Sequence, residues 1–222
     1  MGTLYLVRHG QASFGADNYD QLSELGHRQS VSLGQYFARQ GIVFEAAITG
    51  TLKRHVQTWR GIAEGADLTH EPLAWSGLNE YDSAAVIAAI HPEPLPKPTT
   101  PEAIRNHFRW MRDGLVQWAH GTVSPIGMPS YAQWVQGVAD ALEHVKNKHQ
   151  GNVLLVSSGG PIATAVGLVL GTRPEISIEL NMRIRNTAVT EFAFTPKRHT
   201  LLTFNTLPHL DGPSHKDWIS YT

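Results

Sequence analysis

Short apolar segments of the strand type alternate along this 222-residue chain with longer segments of helical periodicity. Residues 3–8 are typical of a buried strand that stops at Gly10, and residues 153–157 form a continuously apolar strand that leads into Gly159. Because strands separated by helices pair in parallel and carry helices on both faces, this order predicts an α/β fold around a mainly parallel sheet. In such a fold, ligands bind at the carboxyl ends of the strands.

The remaining elements follow from apolar spacing and from capping residues. The other predicted strands are residues 46–49, 188–194 and 200–205. The predicted helices are residues 20–41, a helix that is capped by Thr51 and runs to about Glu64, residues 102–120, residues 130–149 with Ser130 as the cap, and a helix opened by Gly159-Gly160-Pro161. Five prolines between residues 91 and 101 predict an extended loop. We expect one domain over residues 1–222, with a lid-like insertion at about 82–135.

Composition excludes several classes of function. The chain has no cysteine, which removes disulfides, thiolate zinc sites, iron–sulfur clusters and cysteine nucleophiles. Its formal net charge of -1 argues against nucleic acid as a partner, because such proteins carry excess Lys and Arg to neutralise phosphates. The longest apolar runs, residues 153–156 and 165–170, are far shorter than the roughly 20 residues of a membrane-spanning helix. Since the N-terminus begins directly as a strand, we expect a cytoplasmic protein without membrane partners.

Twelve histidines are the unusual feature of the composition. Histidines serve as metal ligands, as acid–base or nucleophilic groups, or as ordinary surface residues. No His-Glu-x-x-His motif occurs, and His144 and His149 are five apart on a predicted helix, which does not place them on one face. We therefore expect no metal and no cofactor. Trp110, Trp118 and Trp134 lie among apolar residues at helical spacing and are expected in the core.

The end of the first strand carries the tripeptide Arg8-His9-Gly10. Gly10 permits a sharp turn of the backbone, which leaves His9 projecting into the crevice beyond the strand. An imidazole can attack phosphorus as a nucleophile, and the guanidinium of Arg8 can bind two phosphate oxygens. Taken alone, the tripeptide fits equally well a histidine that merely ends a strand.

Other strand ends supply further groups that favour anions. Arg54 lies in the first turn of a predicted helix, whose N-terminal amides attract negative charge. The amides of Gly159 and Gly160 after the late strand are expected to face an anion in the same way. Glu80 adds a carboxylate within Leu-Asn-Glu, although the nearby Asp82 is an alternative acid. Together with His9, these sites point to phosphate.

These motifs, in this order over residues 3–205, resemble the histidine phosphatase superfamily of cofactor-independent acid phosphatases and cofactor-dependent phosphoglycerate mutases. The resemblance rests on Arg8-His9-Gly10, on Arg54 within Leu-Lys-Arg-His-Val-Gln-Thr, on Glu80 within Leu-Asn-Glu, and on the late Val-Ser-Ser-Gly-Gly. It implies a phosphoglycerate mutase-like three-layer α/β/α sandwich. It also implies that His9 is the nucleophile that becomes phosphorylated, that Arg8 and Arg54 hold the phosphoryl oxygens, and that Glu80 protonates the leaving alkoxide.

Ser158 is the one departure from the family pattern. The late strand of the family usually ends in His-Gly, whereas this chain has Ser158-Gly159, which we assign to substrate binding. A serine hydroxyl is a neutral donor, and the loss of one preorganised donor costs about 10²–10³ in rate. His55, His91 and His209 are candidates to supply an imidazole from elsewhere, and the sequence leaves that choice open. By the same reasoning, replacing Ser158 with His is expected to speed turnover.

Three functions remain at this stage. We favour a phosphatase that hydrolyses phosphate monoesters of a small substrate. The first alternative is a phosphoglycerate mutase, although family mutases typically have Arg-His-Tyr-Gly after the glutamate and this chain has Tyr81-Asp82-Ser83. The second alternative is a phosphate-binding protein with little catalysis, because Ser158 replaces a histidine. The leaving group and the oligomeric state are not specified by any motif.

Overall fold

A six-stranded sheet organises the protein, whose computed structural model describes residues 1–13, 20–91, 93, 95 and 100–221. The strands are β1 (Gly2–Arg8), β2 (Phe44–Thr49), β3 (Leu73–Ala74), β4 (Asn152–Ser157), β5 (Val189–Thr195) and β6 (Arg198–Thr206). Their order across the sheet is β3-β2-β4-β1-β5-β6. The first four of these are parallel, whereas β5 is antiparallel to both β1 and β6. The predicted α/β fold with a mostly parallel sheet is confirmed.

Seven α-helices are described around this sheet. They are α1 (Glu24–Arg39), α2 (Lys53–Ala66), α3 (Ser83–Ala88), α4 (Pro101–Ala119), α5 (Tyr131–Lys148), α6 (Gly159–Leu170) and α7 (Pro174–Asn181), with 3₁₀ turns at Ser76–Leu78 and Pro213–Trp218. The long predicted helices are confirmed within a few residues, and Ser130 caps α5 as expected. Strand β3 and helices α3 and α7 were not predicted, because elements of two to eight residues are too short to show a clear apolar period.

The continuous apolar run of β4 is explained by burial on both sides. Val153 and Leu155 face one core with α5 and α6, whereas Leu154 and Val156 face a second core with α1 and α2. Successive side chains of a strand point to opposite faces, so a strand between two helical layers needs apolar residues at every position. The helices therefore form the two outer layers of the structure.

A third apolar cluster is centred on Trp118, which is 2% exposed. Trp110 and Trp134 are partly buried against the same cluster, which confirms that these three tryptophans are packing residues. The cluster joins α3 and α4 to α7 through the buried side chain of Ile178. The segment between Glu80 and α5 is thus attached to the main body by an aromatic core of its own.

The proline-rich segment is described only in part. Pro92, Pro94, Pro96 and Pro98 lie outside the described residues, so the extended loop there stays a prediction. Pro101, which was assigned to that loop, is instead the first residue of α4. Proline is favoured at this position because the first amide of a helix has no partner within the helix.

No helix in the described ranges is both long enough and apolar enough to cross a membrane.

Close contacts between glycines bring the turn after β1 against α1. A Cβ atom added to Gly10 would lie 2.4 Å from the carbonyl oxygen of Gly26, and one added to Gly26 would lie 2.2 Å from that of Gln11. Larger side chains would separate the two backbones here. These glycines therefore place the end of β1, with His9, directly over the first turn of α1.

His209 is a buried polar residue that supports the chain behind β1. Its Nε2 atom lies 2.9 Å from the hydroxyl of Thr187, whose backbone N–H donates to the carbonyls of Arg8 and His9. The Thr187 hydroxyl donates to the carbonyl of Asn186, so the imidazole N–H is the donor to Thr187. Burial, aided by the charge of His215, lowers the pKa of His209 to about 3.

We predict that His209→Gln reduces the acid sensitivity of the fold. The folded protein holds His209 neutral while the unfolded chain takes up a proton near the ordinary pKa of 6.5, so stability falls as the pH drops from about 6.5 towards 3. At about pH 5 this proton uptake lowers the free energy of unfolding by about 2 kcal/mol relative to its value at about pH 7.5. In urea unfolding at both pH values, the free energy of unfolding of His209→Gln should fall on acidification by about 2 kcal/mol less than that of the wild type.

The exposed His27 supplies the control, and His27→Gln should change this difference by no more than about 0.5 kcal/mol. An equal loss of stability in the wild type and in His209→Gln would contradict a neutral buried His209.

Candidate active site

His9 is held at the end of β1 by its own backbone. Its N–H donates to the carbonyl of Ser157 at 2.8 Å, and its carbonyl accepts from the Asn186 side chain at 3.1 Å and from the backbone of Thr187 at 3.3 Å. The next amide, that of Gly10, donates to the Thr58 hydroxyl at 3.0 Å. These bonds fix the backbone on both sides of the ring, which is only 2% exposed.

The proton on the His9 ring is placed by Gly10. Nδ1 lies 2.8 Å from the Gly10 carbonyl oxygen, which can only accept, so Nδ1 carries the hydrogen and Nε2 keeps its lone pair. Burial, together with the charges of Arg8, Arg54 and His55, holds the pKa of His9 well below its ordinary value. The imidazole is therefore neutral at physiological pH, which is the form that can act as a nucleophile.

Arg8 and Arg54 flank this ring. The guanidinium of Arg8 donates to the carbonyls of Ile184 and Tyr221, the second at 2.9 Å. Arg54 donates through Nη1 to Asp20 at 3.0 Å. Both guanidinium groups lower the pKa of His9 and oppose the rise in the pKa of Glu80, so their charges act on one crevice. The two side chains expected at the strand ends thus act on one crevice.

The N-terminus of α2 is capped by Asp20, which no motif in the sequence indicates. Asp20 accepts from the backbone N–H of Lys53 at 2.9 Å as well as from Arg54, because a carboxylate is stabilised by the positive end of a helix. Thr51, the predicted cap, makes no cap bond to α2. It is bound instead by Asn79, whose side chain accepts from the Thr51 N–H at 2.7 Å and donates to its hydroxyl at 2.6 Å.

Glu80 lies across the crevice from α2. Its Oε2 accepts from the N–H of Gly160 at 3.0 Å, and its Oε1 accepts from that of Tyr81 at 3.3 Å. Burial raises the pKa of Glu80, and this effect exceeds the opposing influence of Gly160, Arg54, Arg8 and Tyr81. A carboxyl group with a raised pKa keeps its proton to higher pH, as a general acid must.

One expectation from the sequence is corrected here. The Gly160 amide was expected to face a bound anion, but it donates to the carboxylate of Glu80. The helix opened by Gly159-Gly160-Pro161 begins at Gly159, with Pro161 as its third residue. The alternative acid, Asp82, is exposed and caps α3 by accepting from the amides of Ala84 and Ala85 at 2.9 and 3.1 Å.

Ser158 and His55 form a buried pair beside His9. The Ser158 hydroxyl lies 2.7 Å from Nε2 of His55, and both side chains are completely buried. The ring centroids of His55 and His9 are 5.8 Å apart. Burial, aided by the charge of Arg54, lowers the pKa of His55 to about 3, so the ring is neutral.

The structure also selects among the three histidines that were candidates to reach this site. His55 is the one beside Ser158, whereas His91 packs its ring at 4.8 Å from that of Trp110 and His209 binds Thr187. Asn79 and Asn186 support the site but were not predicted to do so. Asn79 lies within the Leu-Asn-Glu motif that carries Glu80. By contrast, Asn186 follows no pattern in the sequence that would have revealed its contact with His9.

Within the described ranges, no group of three or more His, Asp and Glu side chains is arranged to hold a metal ion.

The sequence matches a family model described as the histidine phosphatase superfamily (branch 1) over residues 4–207. A curated relative, the 2,3-bisphosphoglycerate-dependent phosphoglycerate mutase of Dichelobacter nodosus, is 34% identical over 103 residues, which cover 38% of this chain and 42% of that protein. The chain thus spans about two fifths of the length of the curated relatives it matches.

Solved structures with low sequence identity share the fold. Phosphoserine phosphatase from Entamoeba histolytica, in complex with 3-phosphoglyceric acid, aligns with a TM-score of 0.65 at 22% identity and covers 95% of this chain and 100% of its own. Phosphoglycerate mutase from Bacillus anthracis str. Sterne aligns with a TM-score of 0.64 at 16% identity and covers 94% of each chain. The expectation of a phosphoglycerate mutase-like fold is therefore confirmed.

We predict that Gly160→Ala destabilises the protein at this crevice. The added Cβ would lie 2.2 Å from Oε1 of Glu80 and 2.8 Å from the Tyr81 ring, so both side chains must move. The free energy of unfolding should fall by about 1–3 kcal/mol in urea titrations. Gly212→Ala is the control, because its nearest neighbour would be at 3.4 Å, and it should cost no more than about 0.5 kcal/mol. A Gly160→Ala variant as stable as the wild type would show that Glu80 does not pack here.

Proposed function

This chain belongs to the histidine phosphatase superfamily, and from that membership we propose that it hydrolyses phosphate monoesters through a phosphohistidine on His9. Members of the superfamily are phosphatases or mutases, so we expect this chain to be an enzyme. The observation that carries the proposal is the bond from His9 Nδ1–H to the Gly10 carbonyl. This bond leaves the Nε2 lone pair of a neutral, rigidly held ring available for attack on phosphorus.

The reaction proceeds in two steps on the groups already described. His9 Nε2 forms a bond to phosphorus while the ester P–O bond breaks, and Glu80 gives its proton to the departing alkoxide. Water then attacks phosphorus while the bond between phosphorus and His9 Nε2 breaks, the Glu80 carboxylate takes a proton from this water, and inorganic phosphate leaves neutral His9 behind. Neutral His9 and protonated Glu80 are both favoured by burial, which lowers the pKa of the one and raises that of the other.

The charged groups around His9 suit the transferred phosphoryl group. Arg8 and Arg54 stabilise its oxygens as negative charge accumulates during transfer. We further propose that Ser158 stands where the superfamily usually has its second histidine, with its hydroxyl as a neutral donor to the same group, and that Gly159 lets the backbone approach closely. A Cβ on Gly159 would lie 2.3 Å from the Asn181 side chain, which supports the need for glycine there.

A phosphoglycerate mutase is the second candidate, and it is favoured by the identity with curated mutases over part of their length. The segment after Glu80 favours the phosphatase. Tyr81-Asp82-Ser83 replaces the Arg-His-Tyr-Gly typical of family mutases, and Asp82 is used to cap α3. A phosphate-binding protein without catalysis would need neither a neutral histidine nucleophile nor a carboxyl group with a raised pKa.

We propose a small phosphorylated molecule as the substrate, with residues 82–135 as a lid-like insertion that selects its leaving group. This segment is connected to the site through Trp134. The Trp134 indole donates to the Asn79 carbonyl at 3.2 Å, and its ring packs against that of Tyr81, with the ring centroids 5.9 Å apart. Side chains that differ here among related enzymes would change the leaving group without altering the phosphoryl site.

We predict that Glu80→Gln discriminates between leaving groups. Phenyl phosphate needs a proton on its leaving oxygen, so its kcat should fall by about 10²–10⁴, whereas p-nitrophenolate departs largely unprotonated and its kcat should fall by less than about tenfold. Steady-state assays of both esters measure the two effects. Asp82→Asn is the matched control, because asparagine also caps a helix, and it should leave both rates unchanged.

The same assays test the function itself. His9→Ala should abolish phosphate release, and acid-labile labelling of the wild type should reveal the phosphoenzyme. Absence of turnover in the wild type would overturn the phosphatase. Conversion of 3-phosphoglycerate to 2-phosphoglycerate that depends on 2,3-bisphosphoglycerate and outpaces phosphate release would favour the mutase.

We predict that Ser158→His alone does not speed turnover, contrary to the expectation from the sequence. His55 already lies 2.7 Å from the Ser158 hydroxyl in a fully buried site, so a second imidazole overlaps it and destabilises the fold by about 1–3 kcal/mol. Removing the obstruction in the double variant His55→Ala, Ser158→His should restore stability and raise kcat above that of Ser158→His. A faster Ser158→His enzyme of unchanged melting temperature would show that the space is not occupied.

A further inference from the structure

His55 and Ser158 join two elements that are far apart in the sequence. His55 belongs to the first turns of α2, and Ser158 is the residue that precedes α6. Their side chains are completely buried and bonded to each other at 2.7 Å, which offsets the cost of removing both polar groups from water. The donor in this bond depends on which nitrogen of His55 carries the proton.

Gly50 indicates the position of that proton. A Cβ atom on Gly50 would lie only 2.1 Å from Nδ1 of His55, so the Cα hydrogen of Gly50 points at this nitrogen. Nδ1 is buried and has no hydrogen-bond partner in the described part of the chain. An N–H group there would be an unpaired donor directed at a C–H group, whereas a lone pair makes a weak C–H contact. The neutral ring therefore carries its hydrogen on Nε2.

The Ser158 hydroxyl consequently accepts a bond from His55 and keeps its own hydrogen for another partner. Ser158 makes no side-chain cap bond to α6, and no second bond of its hydroxyl occurs within the described residues. It directly follows Ser157, whose carbonyl accepts from the His9 backbone at 2.8 Å. The hydroxyl hydrogen can thus be directed into the crevice in which the Nε2 atom of His9 attacks.

We propose that His55 is a positioning residue, which acts through Ser158 by holding its hydroxyl as a donor to the phosphoryl oxygen. The inference rests on the phosphatase function proposed above. The bond from His55 orients the hydroxyl before the substrate arrives and polarises it, so the neutral donor opposes transition-state charge more effectively than a freely rotating serine would. No proton moves along this chain, so the balance of the reaction is unchanged.

A double-mutant cycle on His55 and Ser158 tests this coupling. His55→Leu and Ser158→Ala should each lower kcat for p-nitrophenyl phosphate by about 10²-fold, with KM changed by less than about threefold. The kcat of the double variant should lie within about threefold of that of the slower single variant, because both substitutions remove the same function. His55→Gln, which can still donate to Ser158, should recover at least about tenfold of the loss in His55→Leu.

His209→Leu is the matched control for a structural effect. His209 is also buried, also has a pKa of about 3, and is also bonded to a hydroxyl, that of Thr187 at 2.9 Å. Its loss leaves the backbone bonds from Thr187 to Arg8 and His9 in place. The variant should therefore lose stability while its kcat stays within about threefold of the wild type.

The outcomes separate this inference from the function on which it rests. A wild-type enzyme without turnover overturns the phosphatase, whereas turnover with additive effects, or with His55→Leu within threefold of the wild type, overturns only the role of His55. Nitrogen-15 NMR of the histidine rings adds a readout that needs no activity. The His55 signals, assigned with His55→Gln, should report hydrogen on Nε2, and hydrogen on Nδ1 would overturn the inference.

Discussion

The parallel pairing of β1 with β4 is the contact on which the rest of this site depends. It sets Arg8 opposite Ser157, and the bond from the His9 amide to the Ser157 carbonyl continues the pairing one residue beyond the strands. His9 and Ser158 therefore leave the sheet side by side. The Ser157 hydroxyl also donates to the Leu78 carbonyl at 2.6 Å, which brings the loop that carries Glu80 to the same edge. One register thus positions the His9 ring, the Ser158 hydroxyl and the Glu80 carboxyl group, which we propose as nucleophile, donor and acid.

Burial gives these groups their chemistry. A histidine and a carboxyl group in water are poorly suited to attack and to proton donation at neutral pH, but removal from water disfavours the charged form of each. Burial is the largest cause of both the lowered pKa of His9 and the raised pKa of Glu80, and the charges of Arg8 and Arg54 lower the pKa of His9 further. The same desolvation keeps His55 neutral in its bond to Ser158.

Much of this could be predicted from local patterns. The apolar run of β4, the cap at Ser130 and the glycine after His9 each express a rule that operates within a few residues, and the strands and long helices followed from such rules. The predictions were wrong where the hydrogen-bond partner of a residue lies far away in the sequence. Thr51 has the right chemistry for a cap, but Asp20, more than thirty residues earlier in the chain, accepts from the first amides of α2, and Thr51 is bound by Asn79 instead. A capping preference does not identify a competitor elsewhere in the chain.

The sequence by itself determined the α/β class, the two apolar layers and the identity of the groups at the strand ends, because strand alternation, helical period and glycine turns are local properties. The tertiary structure alone decided how those groups are paired. The bond between His55 and Ser158 joins residues 103 positions apart, and the bond between Gly160 and Glu80 joins residues 80 positions apart. Only the packing of α2 and α6 against the same sheet brings such residues together. That packing also places the His55 ring directly beside the Ser158 hydroxyl, because the two helices approach the same strand ends.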